Sequence, residues 1–194
     1  DGHATVDADL APILDEVRMP DLFLPEQLYT VWAWFSGAGV RTWLHYDNNG
    51  CHNLNAQLTG EKECVLIAPT ELAAVHPFPL GGGNPATNCS QIDVEAIDAA
   101  RFPEIERTRR WHGTIRAGDL LFIPAWWWHT FLHRGELNTN VNFWWKPARP
   151  LLNPTAARQV LLDLASRANA DTKSGSPDAA LLRRLDDASL HLPG

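Results

Sequence analysis

From Tyr29 onward the chain consists mostly of short runs of aromatic, aliphatic and β-branched residues, broken every few positions by glycine, asparagine or proline. Tyr29 to Phe35 is such a run, closed by Gly37 and Gly39, and further runs fall at about 41–47, 53–58, 62–67, 113–116, 119–123, 128–133 and 137–145. Runs of this length and residue type form strands. Many short strands with glycine-containing turns between them build an antiparallel sandwich or barrel. Residues 1–28 are polar and broken by Pro12, Pro20 and Pro25, which suits a loop-rich lead-in with one short helix near Ala11 to Val17. The stretch from His76 to Gln91 carries Pro77, Pro79, Gly81, Gly82, Gly83 and Pro85, too broken for a regular element, and a long loop inside a compact domain is often functional. After Pro150 the apolar period becomes helical. Asn153-Pro154 starts one helix with Val160, Leu161 and Leu164, and Ser176-Pro177 a second with Leu181, Leu182 and Leu185. The expected organisation is a lead-in over 1–28, an all-β barrel over 29–149 and a helical segment over 150–194 that caps the barrel or pairs with another subunit.

Strand parity separates polar from apolar faces. Asn53, Asn55 and Gln57 share one face of their strand, and Leu54, Ala56 and Leu58 the other. A two-residue hairpin turn at Thr59-Gly60 sets Gln57 opposite Lys62, which then joins the amide row. Nearer the C-terminus, Asn138, Asn140, Asn142 and Trp144 alternate with Leu137, Thr139, Val141, Phe143 and Trp145. A turn at Arg134-Gly135 places His129 opposite Asn140, so that His129, Asn140 and Asn142 line one polar surface. Such rows are either the lining of a barrel interior built for a polar ligand or the solvent-exposed faces of an open sheet.

His45-Tyr46-Asp47 changes the picture. Side chains at i and i+2 of an extended strand point the same way, so His45 and Asp47 can grip one ion while Tyr46 packs on the opposite side. His129, in Pro124-Ala125-Trp126-Trp127-Trp128-His129, is the candidate third ligand from a distant strand. Two imidazoles and one carboxylate on one face of an octahedron, with the other positions open, form the ligand set of non-haem Fe(II) oxygenases. Each piece alone is weak, because a His-x-Asp triplet is common and a histidine after an aromatic run is usually packed core. His52 lies close enough to the triplet to touch a substrate, whereas His3, His76, His112, His133 and His191 read singly as surface or satisfied core residues.

Composition narrows the class. With 16 Lys+Arg against 23 Asp+Glu the net charge is −7, without the electrostatic footprint of a non-specific nucleic-acid binder. Cys51, Cys64 and Cys89 are odd in number and follow no Cys-x-x-Cys spacing, so neither a disulfide framework nor a zinc knuckle is indicated. With no apolar stretch near the ~20 residues that cross a bilayer and no signal-like segment at the start, a cytoplasmic protein is expected.

Several ordered motifs then carry a family resemblance: Thr42-x-x-His45-x-Asp47, Asn53, Ala56-Gln57-x-x-Gly60-x-Lys62, Pro69, Gly118-Asp119-Leu120-Leu121-Phe122-Ile123-Pro124, Trp127-Trp128-His129 and Val141-Asn142-Phe143-Trp144. From about Val31 to Lys146 the chain resembles the JmjC-type, cupin-like Fe(II)- and 2-oxoglutarate-dependent oxygenases, and is similar in pattern to the asparaginyl hydroxylase of hypoxia-inducible factor. The resemblance implies a double-stranded β-helix (jelly-roll or cupin barrel) with C-terminal α-helices. It implies that His45, Asp47 and His129 hold Fe(II), that Lys62 and Thr42 bind the far carboxylate of 2-oxoglutarate, and that Asn53 and Asn142 sit near its metal-bound end. Trp144, Trp127, Asn140, Gln57 and His52 are the candidates for the substrate pocket. Thr42 has the opposite strand parity to His45, so its role requires a bulge between them. The loop Asn48 to His52 is two residues longer than in the hydroxylase, and the chain begins too late to contain the upstream tyrosine with which that enzyme also binds its co-substrate.

The activity implied is hydroxylation of a protein or peptide side chain by O2, coupled to oxidative decarboxylation of 2-oxoglutarate to succinate. Small-molecule or RNA substrates remain open, as does a homodimer through the C-terminal helices. Two alternatives stand beside it: a metal-dependent cupin enzyme that does not use 2-oxoglutarate, and a non-catalytic metal- or ligand-binding module.

Overall fold

The computed structural model describes Glu16, residues 18–80, Asn84, residues 86–171 and residues 179–190. The expected helix near Ala11 to Val17 lies almost wholly outside the described residues. Five strands carry the fold: β1 (Leu28–Ser36), β2 (His52–Ile67), β3 (Arg110–Arg116), β4 (Leu120–Ile123) and β5 (Trp128–Trp145). They pair antiparallel in the order β1-β5-β2-β3, with β4 also on β2. Two helices follow, α1 (Pro154–Asp171) and α2 (Ala179–Leu190).

The fold is the expected antiparallel β core with C-terminal helices, but two turns are not where the sequence put them. β2 and β5 pair with each other along their whole lengths, from His52↔Trp145 to Ile67↔Trp128. Thr59-Gly60 and Arg134-Gly135 are therefore bulged bends inside continuous strands, not hairpin turns. Glycine serves a bulge as well as a turn, because both need φ above zero, and Gly60 and Gly135 sit at +75° and +80°. A Cβ on Gly60 would stand 2.5 Å from the Leu137 carbonyl oxygen. Gln57 accordingly faces Asn140 and Lys62 faces His133, while His129 faces Leu66. The register slips at the bulge, so odd residues before it (Asn53, Asn55) and Lys62 after it turn to the same cavity. Bending also splits each long strand between two partners: β4 lies beside Asn53 to Ala56 of β2, and β3 beside Glu61 to Ile67.

The expected strand at 41–47 is an extended segment held by isolated bridges, Arg41↔Leu132, His45↔His129 and His45↔Cys89. Between the first two, β5 moves three residues (132 to 129) while the facing chain moves four (41 to 45). That extra residue is the bulge that Thr42 required, and Thr42 and His45 both line the same cavity. Leu44 and Tyr46 point the other way into a core with Ile67, Leu72, Val75, Ile92 and Trp128. Trp128 donates from Nε1 to Thr155 Oγ1 at 3.1 Å, tying the ligand strand to α1.

α1 begins as its sequence predicts, with Asn153 Oδ1 accepting from the Ala156 N–H at 2.9 Å and Pro154 next to that cap. Tyr46 donates its hydroxyl to Gln159 Oε1 at 2.9 Å. The guanidinium of Arg158, fully buried, donates to Asp186 Oδ1 of α2 and to the carbonyls of Thr87 and Phe78, each within 2.7 Å. The Leu80 N–H donates to the other Asp186 oxygen at 3.0 Å. α1 is thus pinned to Phe78 and Thr87 and, through Tyr46, to the back of the His45–Asp47 segment, and α2 is pinned to Leu80. No helix among the described residues is long and apolar enough to cross a membrane.

Candidate metal centre

His45 and Asp47 come from the bridged segment and His129 from the second residue of β5, and their ligand atoms lie within 4.8 Å of one another. His45 Nε2 and His129 Nε2 are each 3.8 Å from Asp47 Oδ1. The same device orients both rings. His45 Nδ1 donates to the Trp43 carbonyl at 2.7 Å, and His129 Nδ1 to the Trp127 carbonyl at 3.0 Å. A carbonyl only accepts, so Nδ1 carries a hydrogen in each ring, and in the neutral form Nε2 presents its lone pair. Asp47 is divided in a complementary way: its Oδ2 accepts from Asn53 Nδ2 at 3.0 Å and from Trp144 Nε1 at 2.8 Å, which leaves Oδ1 turned to the imidazoles.

Electrostatics keep His45 and Asp47 in their metal-binding protonation states. Burial and the neighbouring His129 push the His45 pKa down to about 4, so its ring is neutral at pH 7. Burial opposes ionisation of Asp47, but His129, His45 and the hydrogen bonds from Trp144 and Asn53 together outweigh it and hold the carboxyl below its ordinary value. The His45 lone pair and the anionic Asp47 oxygen then face the same point as His129 Nε2. Metal–nitrogen and metal–oxygen bonds of roughly 2.1 Å let two ligand atoms up to about 4.2 Å apart share one ion, and the 3.8 Å separations fall inside that reach. The donor set fits a divalent cation. His129 is 3% exposed, whereas His45 and Asp47 show 24% and 17% of their side chains to the cavity, so one side of the centre is open.

The cavity, about 520 Å³, runs from this centre between β1, β2 and β5 to Lys62. Lys62 is 2% exposed; its ammonium donates to Asn140 Oδ1 and lies 5.5 Å from the Phe131 ring. It makes no ion pair with a carboxylate among the described residues, and burial lowers its pKa to about 8. Thr42 Oγ1 accepts from the Phe131 N–H at 2.8 Å, leaving its own hydrogen for another acceptor. Asn140 donates to Asn142, which donates to Asn53 at 2.7 Å, which donates to Asp47. The amide row therefore links Lys62 to the metal end without a break.

Of the residues singled out from sequence, the cavity brings together His45, Asp47, His129, Lys62, Thr42, Asn53, Asn142, Asn140 and Trp144. Gln57, Trp127 and His52 do not line it. Gln57, directly across from Asn140, turns instead to the Thr59 carbonyl and Asn138, to both of which it donates. Trp127 packs against Trp111 with ring centroids 5.1 Å apart. His52 packs at a tilt against Phe122 and Trp145 and accepts from the Ala125 N–H. Asn55, Ser36, His133, Trp32 and Trp34 line the cavity and were not singled out. For His133 a signal existed: residues 129, 131 and 133 share one face of β5.

Residues 3–149 match the model of the cupin-like domain family. The chain belongs to that family. It is 33% identical over 134 residues to tRNA wybutosine-synthesizing protein 5 of Danio rerio, covering 69% of this cupin-like chain and 38% of that protein. It is 31% identical over 133 residues to lysine-specific demethylase JMJ31 of Arabidopsis thaliana (68% and 23%) and 33% identical over 120 residues to lysine-specific demethylase 8 of Xenopus tropicalis (62% and 26%). The cupin-like chain thus spans less than half the length of each of these relatives.

Proposed function

We propose that this chain is an Fe(II)- and 2-oxoglutarate-dependent oxygenase that hydroxylates a protein or peptide side chain. One observation carries the reading: two Nε2 atoms from distant segments each stand 3.8 Å from the same carboxylate oxygen, on an open face, where one shared cation would join all three. Two histidines and one carboxylate with open positions favour ferrous iron over a closed structural site. When bound, the iron supplies the oxidation of 2-oxoglutarate to succinate and carbon dioxide and the transfer of one oxygen atom to the substrate.

The remaining work belongs to the chain. Lys62, a buried cation with no anion of its own, pairs with the far carboxylate of the co-substrate, and the Thr42 hydroxyl donates to it. Asn53 and Asn142 stand near the metal end, where Asn53 and Trp144 fix the orientation of Asp47. Trp32, Trp34 and Trp144 line the mouth and exclude water from the reacting centre. The relatives' names attach to a tRNA modification and to lysine side chains. A net charge of −7 opposes capture of a polyphosphate backbone, which favours a protein or peptide substrate.

The test is anaerobic addition of Fe(II) and then 2-oxoglutarate, followed by the visible absorption of the chelate and, with oxygen, by succinate release. The band should form in the wild type and in His112→Ala, be absent in His129→Ala, and require much more 2-oxoglutarate in Lys62→Ala. An undiminished band in His129→Ala would remove the metal assignment. Substrate turnover without succinate would point to a cupin enzyme that does not use 2-oxoglutarate.

A further inference from the structure

The Lys62 end of the cavity contains a second nitrogen base. His133 is the direct cross-strand partner of Lys62 in the β2–β5 ladder, so the two side chains stand next to each other on the inner face. Its backbone is fixed to the segment that carries Thr42, donating to the Val40 carbonyl and accepting from the Gly39 N–H, both at 2.9 Å. Its ring is braced from the opposite wall, where Nδ1 is hydrogen-bonded to Ser36 Oγ at the end of β1. Among the described residues no group meets the other ring nitrogen, Nε2, although the residue is only 6% exposed. Ser36, Thr42, Lys62, His133 and Asn140 therefore surround one end of the cavity with donors.

We propose that His133 is a second anion-binding side chain: with Lys62 it receives the far carboxylate of a five-carbon dicarboxylate, and its imidazole takes a proton from solvent as the anion enters. This rests on the reading of the cavity as a 2-oxoglutarate site. Without ligand, the ring is kept neutral. Burial and the adjacent Lys62 ammonium push its pKa down to about 4. A carboxylate seated between the two bases reverses both effects, since it supplies a counter-charge to the imidazolium and neutralises the ammonium. Ser36 suits either state, because a hydroxyl donates to a bare Nδ1 or accepts from a protonated one.

The other charged groups near His133 turn away from it. Arg134, next on β5, pairs with Glu63 of β2; Glu61 of β2 pairs with Arg116 of β3; and Arg41, beside Thr42, pairs with Asp93 and Glu95. Lys62 is the one ionisable group on the neighbouring strands that shares this end of the cavity, and at pH 6 it is already charged. Proton uptake at pH 6 therefore reports the imidazole.

The probe is glutarate, which has the same chain length as 2-oxoglutarate but no keto group. It is titrated calorimetrically into the protein loaded with Zn(II), which keeps His45 and His129 unprotonated. Measurements at pH 6 in two buffers of different ionisation enthalpy give the number of protons bound. The wild type should take up more than half a proton per glutarate. His133→Gln should take up close to none and bind glutarate about 10- to 100-fold more weakly, with its Zn(II) stoichiometry unchanged. Ser36→Ala, which keeps the imidazole, should bind more weakly yet still take up the proton. If the wild type binds glutarate without proton uptake, or His133→Gln takes up as much as the wild type, the role of His133 is refuted while the dicarboxylate site stands. If the wild type binds no glutarate, or Lys62→Ala binds it equally well, both fall together.

Discussion

Lys62 predicts an unusual trade of stability against binding. A lysine ordinarily titrates near 10.5, and burial lowers this one to about 8, so the folded protein disfavours the charged form. The penalty is fully present below the folded value and disappears as pH rises through 8 toward 10.5, where the unfolded chain also loses its proton. At 1.36 kcal/mol per unit, the shift corresponds to about 3 kcal/mol at pH 7. Lys62→Met removes the charge but leaves Asn140 Oδ1 without its donor, which costs about 1–3 kcal/mol. At pH 7 the ligand-free variant should therefore match or exceed the wild type by up to about 2 kcal/mol. Between pH 7 and pH 10.5 the wild type should gain about 3 kcal/mol on the variant. Parallel urea denaturation of both proteins at several pH values measures this difference directly. Adding 2-oxoglutarate at a hundred times its Kd should stabilise the wild type by about 2.7 kcal/mol and leave the variant unmoved. Stability differences that do not change with pH would refute the claim that Lys62 is a strained, uncompensated cation, and equal stabilisation by the ligand would refute its role as the carboxylate's partner.

Gly60→Ala should lose about 2 kcal/mol or more, because it forces a positive φ and drives a Cβ to within 2.6 Å of Asn138 Oδ1. Gly118→Ala, also at positive φ but with open space around it, should lose only about 1 kcal/mol, and urea midpoints separate the two. Arg158→Met should destabilise by about 3–5 kcal/mol, since it removes the cationic partner of a buried carboxylate. The double variant Arg158→Met/Asp186→Leu should recover part of that loss. Trp144→Phe deletes one of the two donors to Asp47 Oδ2. It should weaken Fe(II) or Zn(II) affinity about 10- to 100-fold in a competition titration with a chromophoric chelator.

The clustering of His45, Asp47 and His129 was legible because its geometry is local on each side: i and i+2 on an extended segment give His45 and Asp47, and an aromatic turn delivers His129. The polar rows were legible for the same reason, since alternation fixes which residues share a face whatever lies across from them. What local sequence could not decide was whether Thr59-Gly60 and Arg134-Gly135 reverse the chain or only bend it. Turn and bulge ask for the same residue at the same positive φ, and the choice is made by the partner, here the full-length pairing of β2 with β5. Where a side chain's own hydrogen bonds draw it was equally invisible. Gln57 has the parity of Asn53 and Asn55 and pairs directly with Asn140, yet its amide donates to the Thr59 carbonyl and to Asn138 and does not line the cavity. The segment at 41–47 has strand composition, yet on its far side it meets residues 88–90, an irregular stretch distant in sequence, so its pairing stays at single bridges.

The amide row explains why asparagines, and not apolar residues, fill the space between Lys62 and the metal ligands. An ammonium only donates and an ionised carboxylate only accepts, so any hydrogen-bonded chain between them runs in one direction. Asparagine carries an acceptor and a donor on separate atoms of the same short side chain, so a neutral link can span from one neighbour to the next and pass that direction on. Lys62 donates to Asn140, Asn140 to Asn142, Asn142 to Asn53 and Asn53 to Asp47, and each amide is oriented by the one before it. The two charged ends polarise the chain in the same sense, which strengthens every bond in it. An anion that draws the ammonium away from Asn140 therefore acts on the first link of a chain whose last link holds the oxygen of a metal ligand. The Lys62 end and the Asp47 end of the cavity are joined through the protein as well as through any molecule that bridges them.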